Sequence, residues 1–216
     1  DISNEIILQS NDYDNPNQLF KEIHKLLSFK DFDTPVIDLA WQRIQVWREI
    51  MAYLFNKPEF QNDLIDIQKV YIEFNGESKE ATVYPNKVYL LMSWLITQLK
   101  WTVQSHKRSS VKDIFEVKSK EGNTIPIEVH ARFDETIPLK QILKFEISVG
   151  KEIQKKKYSI HWANKCNHLI IQVESEGKLL YSRKQVMKIP KDADYIGALL
   201  QMYGRDHVFE KSLQTV

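Results

Sequence analysis

Hydrophobic positions recur along the chain with two different periods, and the first long pattern has the period of a helix. It lies in residues 38–55, DLAWQRIQVWREIMAYLF. Its apolar residues fall every three or four positions, which is the spacing of one face of an α-helix, at Ala40, Ile44, Trp47, Met51 and Leu54. Asp38 stands before this stripe and is a favourable N-cap residue. The pattern predicts a helix over residues 38–56.

A second helical pattern, over residues 86–100, is apolar on nearly all sides. It leaves no continuous polar face between Val88, Leu90, Leu91, Trp94, Leu95, Ile96 and Leu99. A helix of this kind is usually buried on more than one side. We therefore expect it to form the packing spine of the fold, with Trp94 in the core.

Elsewhere the pattern indicates strands. Residues 6–9 predict a short buried strand, followed by a helix with an apolar stripe that includes Phe20 and Ile23. Residues 65–74 alternate between apolar and polar, as a half-buried strand does. From Thr102 onwards short alternating runs are separated by turn residues, which is typical of an antiparallel meander. We expect at least five strands between residues 102 and 189, and two helices after them.

These patterns define an α/β (α+β) fold class. A strand-helix-helix unit with a long buried helix comes first, and an antiparallel or mixed β meander with C-terminal helices follows. The predicted organisation is an α/β portion over residues 1–101 and a meander portion over residues 102–216, within one compact unit.

Composition narrows the class of protein. The chain has 216 residues, 43% hydrophobic and 27% charged, with a net charge of +1. This composition is that of a globular protein, and its charge gives no argument for a nucleic-acid or membrane partner. The single cysteine, Cys166, and the absence of glycosylation sequons favour a reducing, cytoplasmic setting. The first residues have no targeting pattern, and the longest apolar run is too short for a membrane span.

The usual motifs for cofactors, metals and catalysis are absent. The six glycines are too far apart for a dinucleotide fingerprint or a phosphate loop, so no cofactor is predicted. His161, Cys166 and His168 have no familiar zinc spacing, and no metal is predicted. Glu128 and His130 would share one face of a strand, where a surface pair is the simpler interpretation than an acid/base couple. No catalytic residue is predicted.

Two groups of cationic and aromatic residues leave alternatives open. On the first helix, Trp41, Arg43 and Arg48 are either core residues with arginine stems over apolar surface, or anchors for a partner. Basic residues also cluster at His106, Lys107 and Arg108 and at Lys151, Lys155, Lys156 and Lys157. Such clusters are solvated surface, a nucleic-acid footprint, or a patch that meets an acidic protein surface.

The first helix resembles the signature helix of the glucose-6-phosphate dehydrogenase assembly protein family, the OpcA type. The matching positions are Asp38, Trp41, Arg43, the triplet Trp47-Arg48-Glu49, Leu54 and Phe55. Three more segments are similar to that family: EIILQSNDYDNP, VYLLMSWLITQLKW and GRDHVFEKSLQ. Since the family places the first of these segments in mid-protein, the chain is expected to be the C-terminal half of a longer polypeptide.

The resemblance implies a non-catalytic protein that binds glucose-6-phosphate dehydrogenase and promotes its active oligomer and activity in the oxidative pentose phosphate pathway. The expected partner-binding residues are Trp41, Arg43, Arg48, Lys107 and Arg108. The family's thiol-based redox control needs paired cysteines, so one cysteine excludes a dithiol switch within this chain. An alternative is a sugar-phosphate or anion-sensing domain or enzyme, with an anion site near Lys107 and Arg108. A nucleic-acid-binding module is a weaker alternative.

Overall fold

The structure is a computed structural model, and it describes residues 5–12, 16–29, 34–77, 84–109, 112–150, 155–163, 167–187, 192–199 and 204–215. The chain forms two compact units. The first comprises Asp1–Glu49, Pro85–Gln98 and Pro190–Val216, and the second comprises Ile50–Tyr84 and Leu99–Ile189. The sequence-based division at residue 101 stays a prediction. Lys151 and Cys166, which the sequence analysis discussed, lie outside the described residues.

Helices and strands alternate at the start of the chain, and strands dominate its second half. The described helices are α1 Pro16–Leu27, α2 Leu39–Arg43, α3 Gln45–Phe55, α4 Pro58–Gln61, α5 Asn86–Leu99, α6 Asp192–Leu199 and α7 His207–Leu213. The described strands are β1 Ile6–Leu8, β2 Val36–Asp38, β3 Ile67–Asn75, β4 Thr102–Arg108, β5 Lys112–Lys118, β6 Thr124–Arg132, β7 Ile142–Val149, β8 Lys156–Trp162, β9 His168–Ser175 and β10 Lys178–Val186. The predicted α/β class is confirmed.

The helix predicted over residues 38–56 is two helices, because the chain turns at Ile44 between α2 and α3. Ile44 donates its N–H to the Trp41 carbonyl at 3.3 Å, which is the three-residue step of a tightened turn. The same carbonyl also accepts from the Arg48 guanidinium at 3.4 Å. The apolar stripe is nevertheless continuous across this turn, and its members are buried: Ala40, Ile44, Trp47, Met51 and Leu54.

Helix α5 is buried along most of its length, as its apolar sequence predicts. The prediction is wrong for Trp94, which is only partly buried whereas Leu95 and Ile96 are buried. Trp94 shares its side of the helix with Thr97 and Gln98, which follow it by three and four positions and are also accessible. One edge of the spine helix is therefore open.

The second unit contains a mixed eight-stranded sheet in the order β10-β9-β8-β7-β3-β6-β5-β4. Strands β4 to β6 form one antiparallel meander and β7 to β10 form another. The earlier strand β3 lies between them, parallel to β6 and antiparallel to β7. The sequence predicted the meander and the mixed sheet but not this central position of β3.

The central strands of the sheet have one buried face and one polar face. On β3, Val70, Ile72 and Phe74 are buried, while Tyr71 and Glu73 are partly exposed. The same alternation continues on the neighbouring strands, since successive side chains of a strand point to opposite faces. We call the second face the polar face; its central residues are Lys69, Tyr71, Glu73, Glu128, His130, Lys144, Glu146, Lys157 and His161.

The first unit begins with a β1-α1-β2 segment in which β1 and β2 pair in parallel. Helix α1 buries the stripe of Phe20, Ile23 and Leu27. Among the helices that the structure describes, none is both long and apolar enough to cross a membrane.

Candidate functional site

Asp38 fixes the start of the helix that resembles the family signature. Its carboxylate is fully buried and accepts the Ala40 N–H at 2.9 Å and the Ser10 N–H at 3.2 Å. This is the N-cap predicted from the sequence. Burial raises the pKa of Asp38 above its ordinary value, against the opposing effect of these hydrogen bonds and of Arg43. A buried carboxylate here ties helix α2 to the segment that follows β1.

Trp41 joins this helix to the last helix of the chain. Its indole N–H donates to the carboxylate of Asp206 at 2.8 Å, and its ring packs against Phe209 with centroids 5.4 Å apart. Asp206 is also the N-cap of α7, where it accepts the N–H groups of Val208 and Phe209 at 3.0 Å each. Trp41 is 1% exposed, so its ring is a core element.

Arg48 also lies against the Trp41 ring. The guanidinium carbon lies 3.6 Å from the ring centroid, which is a close cation–π contact. Burial lowers the pKa of Arg48 to about 10, although the charges of Asp206 and Glu49 act in the opposite direction. The side chain therefore stays charged near neutral pH. We call Trp41, Arg48, Asp206 and Phe209 the Trp41 cluster.

Arg43 lies on the same helical segment but outside this cluster. It is partly exposed and donates to the Gln9 side chain at 3.2 Å. The helix therefore places the three predicted residues in different settings. Trp41 and Arg48 contact each other, and Arg43 contacts the segment after β1.

Lys107 and Arg108 lie on β4, at an edge of the sheet in the second unit. Arg108 approaches the buried carboxylate of Asp113 at 3.5 Å, and its guanidinium lies 4.8 Å from the Tyr84 ring. Burial, together with the charge of Asp113, raises the pKa of Tyr84 to about 12. Lys107 is largely exposed and lies 4.0 Å from Glu116. Of the five predicted partner-binding residues, Lys107 is the most accessible to another protein.

The pair Glu128 and His130 is part of an ion-pair network on the polar face. Their side chains are 3.2 Å apart, and Lys69 lies 2.8 Å from Glu128. Although burial alone would raise the pKa of Glu128, hydrogen bonds from Lys69 and His130 lower it. A carboxylate held ionised between two donors is a poor general acid. This agrees with the interpretation of the pair as a surface contact.

A shallow polar cleft of about 250 Å³ lies beside this network. Its cations are already engaged, since Arg132 pairs with Glu73 at 3.1 Å and both Lys144 and Lys157 pair with Glu146. His161 also lines the cleft, and its buried Nδ1 has no hydrogen-bond partner among the described residues. Burial, together with the nearby lysine charges, lowers the pKa of His161. The cleft has room for a small polar molecule but presents a balanced set of charges.

The described residues include no group of three or more metal-binding side chains. Cys166 lies outside them, and His161 is on β8 whereas His168 begins β9. Within the second basic stretch, Lys156 is bound to Asp63 at 2.9 Å and Lys157 to Glu146 at 2.7 Å. These two lysines are engaged in ion pairs within the second unit and are not a free basic stripe.

Sequence reasoning missed Asp206 and Asp113, the two carboxylates that organise these clusters. Asp206 stands before α7 in an N-cap position, and that local signal was available. No local sequence signal predicts that Asp206 accepts a hydrogen bond from a tryptophan 165 positions earlier. Asp113 lies on β5, where buried and more exposed positions alternate, and it occupies a fully buried position. The alternation of apolar and polar residues does not predict a charged residue there.

The fold is shared with solved oxidoreductases. A lysine mutant of a 3-ketoreductase from Actinomadura kijaniata, in complex with NADP and TDP-benzene, matches with a TM-score of 0.54 at 8% identity. The match covers 98% of this chain and 66% of that chain. At this identity the likeness defines only the class: an α/β domain with a mixed sheet.

The family is defined by sequence. Residues 34–213 match the family model that describes the C-terminal domain of a glucose-6-phosphate dehydrogenase subunit. The chain belongs to this family. A Synechocystis protein named for OpcA and the OxPP cycle is 24% identical over 98% of this chain and 44% of its own length. A Nostoc punctiforme protein of the same name is 25% identical over 50% of this chain and 22% of its own length. The chain thus spans less than half the length of these relatives.

Proposed function

We propose that this chain is a non-catalytic partner of glucose-6-phosphate dehydrogenase that promotes the active oligomer of that enzyme in the oxidative pentose phosphate cycle. The observation that carries the proposal is the family match over residues 34–213, whose description names a subunit of this dehydrogenase. The names of the Synechocystis and Nostoc relatives add the OxPP cycle. The ion-paired state of the titratable clusters supports a role without catalysis. A cytoplasmic location is part of the same proposal.

The proposed mechanism is a shift in the population of dehydrogenase states. A protein that binds one oligomeric state more tightly moves the equilibrium by its difference in affinity for the two states. A ~10-fold preference needs only ~1.4 kcal/mol. No reactive group in this chain is required for that effect.

The Trp41 cluster suggests how the signature residues contribute. Trp41 is buried and Arg48 is stacked on it, so these two are positioning residues that fix the α2–α3 segment. Arg43 and Lys107 are accessible and are the candidates for direct contact, with Arg108 held between Asp113 and Tyr84.

The test mixes the purified chain with glucose-6-phosphate dehydrogenase from the same source. Analytical ultracentrifugation and the rate of NADP reduction are followed in parallel. We expect a larger complex and a higher rate when the chain is present. Absence of any complex at micromolar concentrations would refute the proposal.

Point variants then separate contact from positioning. Lys107→Glu is expected to weaken the complex without changing the unfolding midpoint of the chain, because Lys107 is exposed. Arg48→Ala is expected to lower that midpoint, because the guanidinium covers the Trp41 ring. An Arg48→Ala protein with unchanged stability but lost activation would place Arg48 in the interface instead.

The sugar-phosphate alternative is tested on the chain alone. Calorimetric titration with glucose 6-phosphate and with NADP is expected to give no binding heat. A measurable affinity for either ligand would favour a sensing domain or an enzyme.

A further inference from the structure

Strand β10 forms an edge of the eight-stranded sheet. It pairs with β9 on one side, and no other strand of the described part of the chain pairs with its outer side. An edge strand presents unpaired N–H and C=O groups on which another strand can form a ladder. The register shifts between Leu179 and Tyr181, so the regular part of the edge runs over residues 181–186.

Exposed apolar side chains are concentrated at this edge. Ten large hydrophobic side chains of the described residues are exposed, and four of them lie on β10 or against it: Tyr53, Leu179, Leu180 and Val186. Tyr53 belongs to α3 but faces β10, because the Arg183 guanidinium lies 5.2 Å from its ring centroid. A concentration of exposed apolar groups marks an interaction surface more often than scattered ones do.

Cations lie close to the rings of Tyr53 and Tyr181, and they form no ion pair with a carboxylate of the described residues. The Lys57 ammonium lies 4.2 Å from the Tyr181 ring centroid and 5.2 Å from that of Tyr53. Strand β10 carries Lys178, Arg183 and Lys184 and no acidic residue. Within the described residues, no carboxylate forms an ion pair with these three residues or with Lys57. Within the part of the chain that the structure describes, the cations of this edge are therefore not engaged in ion pairs.

The opposite edge of the same sheet shows that this charge is not a general property of its edge strands. Strand β4 also carries cations, but they face carboxylates inside the unit. Arg108 lies 3.5 Å from Asp113, and Lys107 lies 4.0 Å from Glu116. Of the two edges of the described sheet, the β10 edge is the one that combines exposed apolar groups, aromatic rings and cations without a carboxylate.

We propose that β10 is a docking edge for an extended acidic segment of a partner protein. The segment adds as a further strand along residues 181–186 and places its carboxylates near Lys57, Arg183 and Lys184. Strand addition of this kind draws affinity from main-chain hydrogen bonds and specificity from the side chains. Tyrosine and arginine are also the residue types that are enriched at the centres of interfaces.

The charge pattern argues against a second copy of this chain as the occupant. An antiparallel pairing of residues 181–186 with themselves would place Arg183 opposite Lys184 twice. Like charges directly opposite each other destabilise a sheet. An acidic strand meets no such repulsion.

The inference rests on the proposed function only for the identity of the partner, which we expect to be the dehydrogenase. The docking chemistry is tested separately with the whole chain and a labelled peptide in which pairs of glutamates alternate with pairs of valines, because Arg183 and Lys184 point to opposite faces of the strand. Fluorescence anisotropy is expected to detect binding of this peptide but not of the matching lysine–valine peptide. Hydrogen exchange of the amides in residues 181–186 is expected to slow when the peptide is bound.

Two charge variants localise the site. The double variant Arg183→Glu and Lys184→Glu is expected to weaken peptide binding by ~10-fold or more, which corresponds to ~1.4 kcal/mol. Lys120→Glu, an exposed turn position on the same unit, is the charge control and is expected to leave binding unchanged. Circular dichroism verifies that both variants are folded.

Several results would overturn the docking edge. These are equal binding of both peptides, equal binding by the double variant, no exchange protection at β10, or a preference for single-stranded oligonucleotides over the acidic peptide. If the dehydrogenase binds the double variant as well as the wild type, the docking edge fails while the proposed function stands. If the acidic peptide binds at β10 but the dehydrogenase does not, the proposed function fails and the docking edge stands.

Discussion

The indole N–H of Trp41 donates to the carboxylate of Asp206 at 2.8 Å, across 165 positions of the sequence. The same carboxylate group caps helix α7 and lies near the charge of Arg48. One aspartate thus joins the helix that resembles the family signature to the helix that closes the chain. Both segments resemble the family, and in the structure they contact each other through the hydrogen bond between Trp41 and Asp206.

Replacing Asp206 is expected to affect two interactions together. Asp206→Ala removes the α7 cap and leaves the buried indole N–H of Trp41 without its acceptor. A lost cap costs ~1 kcal/mol and an unsatisfied buried donor ~1–3 kcal/mol, so we expect a loss of ~2–4 kcal/mol. Asp206→Asn keeps an oxygen for the cap and should cost less. Urea unfolding measures both, and equal losses for Ala and Asn would contradict this account.

The two tryptophans of the main helices provide a matched pair. Trp47 is 2% exposed, and Trp47→Ala is expected to cost ~3–5 kcal/mol, as for other deeply buried aromatic residues. Trp94 is partly exposed, so Trp94→Ala should cost clearly less, ~1–3 kcal/mol. Thermal unfolding of both variants gives the order. A larger loss for Trp94 than for Trp47 would contradict the burial difference.

Asp38 is expected to make stability depend on pH in an unusual direction for a carboxylate. Because burial raises its pKa in the folded state, folded protein holds this proton more tightly than unfolded protein does. Its contribution is present below the ordinary value of 3.8 and is lost as pH rises through the folded pKa. The unfolding free energy of the wild type should therefore fall relative to Asp38→Asn as pH rises from about 4 towards 7. A constant difference across this range would show that the pKa is not raised.

His161 is expected to make stability depend on pH in the opposite direction, because its folded state binds its proton less tightly than the unfolded state does. Its pKa is lowered from 6.5 by burial and by Lys144, so the folded state binds fewer protons than the unfolded state below that value. Its contribution is present above pH 6.5 and is lost as pH falls through the folded pKa. The thermal midpoint of the wild type should therefore drop relative to His161→Gln between about pH 7 and pH 5. His161 is half-buried, so the effect is small; an increase relative to the variant would refute it.

The sequence predicted what depends on local pattern. The stripe through Trp47 and Met51 identified the buried side of the first helix, and Asp38 identified its beginning. Arg48 lies about 100° from Trp47 on a helix, so a buried Arg48 required an acidic partner, either distant in this chain or on another protein. In the structure the acidic residue near Arg48 is Asp206, and the Arg48 guanidinium also lies over the Trp41 ring. The partner's identity depends on tertiary packing, and no local signal encodes it.

The arrangement of the sheet was also beyond the sequence. Alternation on β3 predicts that Val70 and Ile72 are buried, but it is silent on which strands lie beside them. The buried positions of a strand follow from its own alternation of apolar and polar residues. The order of the strands in the sheet depends on how all the strands pair with one another. Trp94 illustrates the converse error, because an apolar residue on a largely buried helix still lies beside Thr97 and Gln98.

The central position of β3 also sets the order in which the second unit can be completed during synthesis. Ribosomes add ~5–20 residues per second, so β3 leaves the ribosome several seconds before β7 exists. Until β6 has been made, β3 has no neighbouring strand, and until β7 has been made one of its two sides stays unpaired. Non-local pairing of this kind slows folding and exposes strand edges to other chains. A nascent chain that stalls between β6 and β7 is therefore expected to be a target for chaperones, and ribosome-bound fragments ending at residue 140 and at residue 190 would differ in their capture.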